Sequence, residues 1–469
     1  MLPESFKDKR VTIMGLGLFG GGVAVAEYLA AQEAQIVITD LRSAEQLAGS
    51  IQQLSDSNID ATWFLGSHPD EAFDRSEIIV VNPAVRPGNK YVERCRGQEQ
   101  LITSEIEIFT QNNPALTVAV TGSNGKSTTC QLIHDLLRAN VDDARNIWLG
   151  GNIGRSLLPD LASIQQSDIV VLELSSFQLH QLQGCGFRPE VAVVTALTPN
   201  HLDWHPDIAH YVSSKQVISA GQQMNNATVV PDDLEHWPIR GRCLRFGLED
   251  GGEDGVYIED GSLVVRIDGS ETAERLTVSA AFRGDHNLRN LTAAVASVQL
   301  ALDRLPVVQP ALQRFRGLPH RMQIVCRSNG RTFIDDSSST TPESTIAALR
   351  SIPSQCVLMA GGGDKGVSLG PLGREIAKHA NRIITMGATA ASLGSAVLSE
   401  SAGDAGAIVI QATDFPNAFE HAVELSQPGD IVLLSPGCSS HGWFSDFRER
   451  GHSFARLANE WHDAQEKNA

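Results

Sequence analysis

The stretch "TVAVTGSNGKSTTCQLI", residues 117–133, decides how the rest of the chain reads. An apolar run through Val120 leads into Gly122-Ser123-Asn124-Gly125-Lys126-Ser127-Thr128, and an amphipathic pattern follows. This is strand, glycine loop, helix, the arrangement in which backbone N–H groups and a helix N-terminus hold phosphates. Lys126 then reaches the outer phosphates and the Ser127 hydroxyl ligates Mg2+. The loop is short, with two residues between its glycines where the general phosphate-loop pattern has four. The alternative is a plain glycine-rich turn that packs a strand against a helix.

Upstream, "RVTIMGLGLFGGGVAVAEYLAAQEAQIVITD" alternates strand, turn, helix, strand. Val11–Met14 reads as a short strand, Gly15-x-Gly17-x-x-Gly20 as the turn, and Ile36–Thr39 as the next strand, ending at Asp40. One βαβ unit with an acid about 20 residues past the last glycine is the dinucleotide fingerprint. Such a turn also occurs with no ligand. The alternation continues through residues 77–85, and Asn112-Asn113-Pro114 reads as a linker.

Downstream, residues 168–179 and 191–206 each read as a buried strand with a polar end. The first places Glu173 after an apolar run. Mg2+ prefers hard oxygen ligands from one or two carboxylates, phosphate and water, and Glu173 fits that role. The second, "NHLDWH", supplies His201, Asp203 and His205. Residues 228–282 alternate short strands with Asp-Gly turns, and "DHNLRNLTAAVASVQLAL" reads as an amphipathic helix. From Gly317 onward, "CVLMAGG", "RIITMG", "AIVIQA" and "DIVLLSPG" alternate with helical stretches, which predicts another mainly parallel sheet.

At 469 residues, with 42% apolar and 20% charged, the chain has room for several cores. The net charge of −18 argues against a nucleic-acid or anionic-membrane face. Seven scattered cysteines without a C-x-x-C pair read as reduced thiols. No secretory h-region opens the sequence, and no apolar run approaches the roughly 18 residues that span a bilayer. A cytoplasmic protein without membrane insertion is expected. A guanine-reading N-K-x-D motif is lacking, as is the residue trio of kinases. Composition and spacing stop at an ATP-dependent enzyme with two other α/β domains.

A combination of motifs goes further. "TGSNGKST", "GNIG" (151–154), "LELSSFQL" (172–179), "NHLDWH", "YVSSK" (211–215), "GDHNLRN" (284–290), "GLPHR" (317–321), "DDSSSTTPEST" (335–345) and "LSPGCSSHGWFSDFRERG" (434–451) occur in this order. Together they resemble the Mur ligases of peptidoglycan synthesis, most closely the glutamate-adding branch, over essentially the whole chain. The short phosphate loop is the form that family uses. The resemblance implies an α/β protein of three domains: a UDP-substrate-binding Rossmann-like domain (1–112), a central P-loop ATPase with a mainly parallel sheet (113–316) and a C-terminal Rossmann-like domain for ATP and the amino acid (317–469). It implies joining glutamate to UDP-N-acetylmuramoyl-L-alanine, with ATP consumed through an acyl phosphate, and a protein that works as a monomer.

The resemblance also implies roles residue by residue. Gly122 to Thr128, Asn287, Asn290, Arg321 and Asp336 match ATP contacts. Gly15, Gly17, Leu18, Phe19, Gly20, Asp40 and Asn152 match contacts to the UDP substrate. Ser127 and Glu173 match the ligands of one Mg2+, and His201 and Lys215 those of a second. Lys126, Glu173, His201 and Lys215 match the catalytic set, and Lys215 matches the family's carbamylated lysine. Thr340, Lys365, Ser440 and Phe447 match glutamate contacts. One departure is local: the branch's usual Asp-Ser-Lys-Ala-Thr reads Asp336-Ser337-Ser338-Ser339-Thr340 here. The lysine that meets a glutamate carboxylate is replaced by Ser338, which leaves the stereochemistry open; the resemblance favours D-glutamate, with L-glutamate as the alternative. From other classes, an NAD-dependent oxidoreductase rests on the first glycine turn alone. A non-catalytic nucleotide-binding regulator would leave Glu173, His201 and Lys215 without a task.

Overall fold

The computed structural model describes the chain except residues 1, 19, 202–203, 250, 278–283, 316, 353, 365–366, 401–406, 441 and 469, and the side chains of 467–468. Phe19, Asp203 and Lys365 therefore lie outside the described residues. Two compact units emerge, Met1–Ser279 with Asp285–Phe315, and Ala280–Gly284 with Arg316–Ala469.

The first unit contains two sheets. Strands β1 (Arg10–Met14), β2 (Gln35–Asp40), β3 (Thr62–Leu65), β4 (Ile78–Val81) and β5 (Leu101–Thr103) form one, all parallel, in the order β3-β2-β1-β4-β5. β1 and β2 have the expected places, each extended by one residue at its start, and β2 includes Asp40. The order reverses between β1 and β4, the kind of position at which open α/β sheets bind ligands, and Asn82 after β4 donates there to Gly15 O (3.1 Å).

The second sheet runs β14-β13-β12-β11-β10-β9-β6-β8-β7. Its strands are β6 (Leu116–Thr121), β7 (Ile147–Gly151), β8 (Ile169–Glu173), β9 (Val191–Val194), β10 (Ala227–Pro231), β11 (Arg242–Phe246), β12 (Gly255–Glu259), β13 (Ser262–Ile267) and β14 (Ser270–Arg275). The strands from β7 across to β12 are parallel, and β13 and β14 add an antiparallel margin. The β-rich stretch expected over 228–282 thus continues the central sheet. β6 is interior, between β9 and β8, and Val118, Ala119 and Val120 are wholly buried. Burying a valine side chain contributes about 1.5–3 kcal/mol.

The helix Asp285–Leu302 differs from its amphipathic expectation. Asn290 through Gln299 are buried without a break. Small residues make this possible, because Ala293, Ala294, Ala296 and Ser297 let neighbouring strands and the helix Lys126–Asn140 approach from several sides. One apolar cluster also joins the two sheets of this unit: Val11, Val23 and Ile106 share it with Leu157, Leu158 and Val170.

The second unit is built on β15 (Gln323–Ser328), β16 (Arg331–Asp335), β17 (Cys356–Gly361), β18 (Ala380–Met386), β19 (Ile408–Gln411) and β20 (Ile431–Leu434), in the order β15-β16-β20-β17-β18-β19. All pairs are parallel except β15 with β16. The four strands expected from the apolar runs are all present. A closing helix, Phe447–Asn468, packs Phe454 and Ala458 into the core beside Phe333.

None of the seven cysteines forms a disulfide. Burial pushes the thiols of Cys185 and Cys356 up to about 12 and that of Cys243 to about 11.

Candidate active site

Register sets the centre of the first unit's site. Val120 of β6 pairs with Glu173 of β8, and Thr121 pairs with Val194 of β9. The phosphate-type loop therefore leaves its strand beside the acid that ends the next one. Gly125 caps the helix Lys126–Asn140 at φ 82°, and a Cβ there would lie 2.3 Å from Asn290 Oδ1. Only glycine gives both the left-handed turn and that approach. Ser123, expected as an ATP contact, is largely a pin: its N–H donates to Ala196 O (2.7 Å), and its hydroxyl meets Thr198 O (2.6 Å) and Tyr211 Oη (2.7 Å). Asn124 is exposed at the loop's tip and Ser127 is half-buried.

Lys126 folds back over the loop, its Nζ donating to Gly122 O (3.0 Å) and Ser123 O (3.2 Å). Lys215 is 2% exposed and donates to Gly122 O (2.8 Å) and Thr121 Oγ1 (3.3 Å). Burial, seconded by the nearby Lys126 charge and opposed by Glu173, holds its amine well below the usual lysine range. Tyr211 lies four residues earlier on the helix Ile208–Ala220, with its ring 4.9 Å from Lys215 Nζ. Glu173 is 1% exposed; Asn152 Nδ2 donates to its Oε1 (2.7 Å), while Oε2 is buried with no hydrogen-bond partner among the described residues. A buried unpaired carboxylate oxygen is costly unless something arrives to meet it.

His201 stands at this rim with φ 56° and its ring 4.9 Å from that of Phe177, which follows Glu173 in sequence. His205, by contrast, is buried and tied to Ser176 Oγ (2.9 Å) and His210 Nδ1 (2.8 Å). Burial and the neighbouring histidines lower it to about 4, so it serves the scaffold as a neutral ring. Among the described residues no group of three or more His, Cys, Asp or Glu side chains is arranged to hold a metal. Mg2+ needs fewer protein ligands, since phosphate and water complete its shell. The unpartnered Glu173 oxygen and the Ser127 hydroxyl fit that ion.

Asn290 lies on the loop side of its buried helix, with Thr129 Oγ1 3.4 Å from its Oδ1, and Asn287 sits one turn earlier. At the first sheet, Asp40 is buried and accepts from the N–H groups of Gly17 (3.0 Å) and Arg42 (2.9 Å). Its carboxylate thus braces the turn that contains Gly15, Gly17, Leu18 and Gly20. The Arg42 guanidinium, 3.7 Å away, escaped the sequence reading.

In the second unit Asp336 is buried, accepting from Ser435 Oγ (2.7 Å) and Met322 N–H (3.1 Å). Burial nevertheless pushes its carboxyl up to about 6, against those hydrogen bonds and the Arg321 charge. Ser440 lines a cavity of about 250 Å3 whose walls include Gly362, Met386, Phe415, Trp443 and Arg450. Thr340 and Phe447 do not line it. Arg450 was not singled out from the sequence. It is wholly buried, and its guanidinium donates to Ser337 Oγ (2.9 Å), Ser337 O (2.9 Å) and Cys438 O (3.3 Å). Burial lowers it to about 10. Only the Arg-Gly pair in the quoted C-terminal motif hinted at it.

Three family models cover most of the chain: the Mur ligase MurD-like N-terminal domain over residues 9–103, the Mur ligase middle domain over 120–298, and the Mur ligase glutamate ligase domain over 320–438. A protein of Roseiflexus sp. named UDP-N-acetylmuramoylalanine--D-glutamate ligase is 34% identical, aligned over 96% of this chain and 98% of its own length. The chain belongs to the Mur ligase family. A relative of the same name from Geotalea uraniireducens is 33% identical over 97% of this chain and 98% of its own. The crystal structure of the UDP-N-acetylmuramate-alanine ligase MurC of Thermotoga maritima matches with a TM-score of 0.60 at 18% identity, covering 97% of this chain and 99% of that one. That likeness bears on the fold, the three-domain α/β architecture of Mur ligases. Membership makes the chain an ATP-dependent ligase, which sets aside the oxidoreductase and regulator readings of its glycine loops.

Proposed function

We propose that the protein joins D-glutamate to the alanyl carboxylate of UDP-N-acetylmuramoyl-L-alanine at the expense of ATP, a step of peptidoglycan synthesis. The observation that carries this reading is the buried Glu173, with one oxygen left unpartnered, beside a phosphate-type loop and two lysines. The names of the full-length relatives supply the substrates.

Two anions must meet when the substrate carboxylate attacks the γ-phosphate, so the site's first task is charge neutralisation. Lys126 leaves its carbonyl contacts to accompany the transferring phosphate. Ser127 and Glu173 would hold Mg2+, which supplies further neutralisation of the phosphate oxygens when bound. The attack forms a C–O–P bond and releases ADP. The glutamate amine then attacks the acyl carbon, expels inorganic phosphate and gives up a proton as the amide forms.

His201 and Lys215 are proposed at a second Mg2+. Lys215 suits carbamylation because its depressed basicity supplies a neutral amine, which combines with CO2 and releases a proton. Gly122 to Thr128, Asn287, Asn290, Arg321 and Asp336 are assigned to ATP, Gly15, Gly17, Leu18, Phe19, Gly20, Asp40 and Asn152 to the UDP substrate, and Thr340, Lys365, Ser440 and Phe447 to glutamate. Boundaries after residues 112 and 316 suit the gaps between the helix Glu105–Asn112 and β6, and between the helix Gln309–Arg314 and β15. A cytoplasmic monomer follows from the family resemblance, and free cysteines suit that compartment.

Phosphate release from ATP should require both UDP-N-acetylmuramoyl-L-alanine and glutamate. Turnover indifferent to the nucleotide sugar overturns the reading. Running the assay with each glutamate enantiomer decides the stereochemistry, because Ser338 in place of a lysine is the one feature favouring L-glutamate.

A further inference from the structure

The two ends of the proposed nucleotide-sugar site are served by different sheets of the first unit. The glycine turn and Asp40 follow the first sheet, whereas Asn152 and Glu173 follow the second. A ligand that reaches from one to the other binds well only if their spacing is already correct, because misplacement by about 1 Å can cost 10²-fold.

One side chain lies between them. Glu105 opens the helix Glu105–Asn112, capped by Ser104. On one side its Oε2 comes within 3.3 Å of where a Cβ on Gly21 would stand. Gly21 is the first residue of the helix Gly21–Ala31, directly after the turn, and that helix end favours a carboxylate. On the other side Glu105 Oε1 accepts from the Ser156 hydroxyl (2.5 Å). Ser156 belongs to the loop that begins Gly151-Asn152, and Asn152 is doubly tied to Glu173, through its N–H to the carbonyl (2.8 Å) and through its side chain. Leu157 and Leu158 then anchor the loop in the cluster that contains Val23 and Ile106. Burial pushes the Glu105 carboxyl up, opposed by the Ser156 bond, so this acid is held at an internal seam.

We propose that Glu105, through its hydrogen bond to Ser156, is a positioning residue that sets the spacing between the glycine turn and the Asn152 loop. It thereby gauges ligands long enough to touch both. The inference rests on the reading of these two loops as ends of one nucleotide-sugar site. A ligand that fills only the turn does not sense the spacing.

The test compares UDP with UDP-N-acetylmuramoyl-L-alanine by calorimetry on full-length wild type, Glu105→Ala, Ser156→Ala and Glu105→Gln. UDP should bind all four within about twofold, whereas the long ligand should weaken about tenfold in Glu105→Ala and Ser156→Ala. Glu105→Gln keeps an acceptor for the Ser156 hydroxyl and should stay near wild type. The double Ala variant should be no weaker than either single one, since both break one bond. In turnover the loss should fall on KM for the nucleotide sugar more than on kcat. Parallel weakening of both ligands, or no weakening of either, overturns the proposal. Ser156→Ala decides the matter if Glu105→Ala does not fold. Wild type that binds UDP but ignores the long ligand overturns the function reading as well, which separates the two failures.

Discussion

Glu173 in the first unit and Asp336 in the second are both buried acids at the ends of parallel strands, yet their surroundings differ. Glu173 has one oxygen held by Asn152 and one held by none of the described residues. Asp336 has both oxygens engaged, by Ser435 and by the Met322 N–H. The first acid is arranged for something that arrives from outside. The second braces its own scaffold and has only leftover lone pairs to offer a ribose. The contrast separates groups whose loss should stop chemistry from groups whose loss should shift stability.

The sharpest break of that contrast is at the loop itself. Lys126→Ala should lower ATP-dependent phosphate release by about 10³-fold, with UDP-substrate binding nearly intact by calorimetry. Affinity that collapses with turnover would merge the two sites. Next, Glu173→Gln should cost about 10²-fold in kcat while thermal stability holds or rises, because an unsatisfied charge is replaced by an amide. A clear fall in Tm would move Glu173 into the scaffold class.

Asp336→Asn should instead show itself in the pH dependence of stability. The folded pKa of about 6 lies above the ordinary aspartate value of 3.8, so the native state binds more protons than the unfolded chain between those values. Stability is therefore lost as pH rises from about 4 to about 6, by on the order of 3 kcal/mol, and stays lost above. The amide escapes this cost, and Ser435 can turn its hydroxyl to accept from it. Thermal melts should show the variant gaining on wild type from pH 4 to pH 7, while KM for ATP rises. A gap independent of pH would refute the assignment. The smallest effect is expected of Ser123→Ala, which removes the pin to Thr198 and Tyr211 and should cost about 1–2 kcal/mol by urea denaturation.

Much of this was legible because the signals are local. The loop from Gly122 to Thr128 and the turn from Gly15 to Gly20 each announce a strand, a helix and an anion-friendly end within a dozen or so residues. The four apolar runs of the second unit are strands for the same reason. What was hidden is long-range. Nothing near Asn290 in sequence says that its amide faces Gly125, and the helix around it looked one-sided until the packing of its small residues buried Asn290 through Gln299 without a break. Arg450 reads as a surface charge in a helical run, but the fold encloses it against Ser337 and Cys438 carbonyls. Lys215 stood out only by resemblance; its depressed basicity comes from burial, seconded by the charge of Lys126 about ninety residues away.

The raised thiols described with the fold, Cys356 buried and Cys185 and Cys243 half-buried, have a practical consequence. Only thiolates react readily with maleimides and iodoacetamides. With Cys185 and Cys356 at about 12 and Cys243 at about 11, their reactive fraction at neutral pH is small, on the order of one part in 10⁴ or less. Burial pushes Cys95, Cys130 and Cys326 the same way, and Cys438 is shielded at 4% exposure. A single cysteine introduced on the surface would therefore take up a fluorophore or spin label against a quiet native background. Distance measurements between domains can begin on the natural chain, with no need to strip its sulfur first.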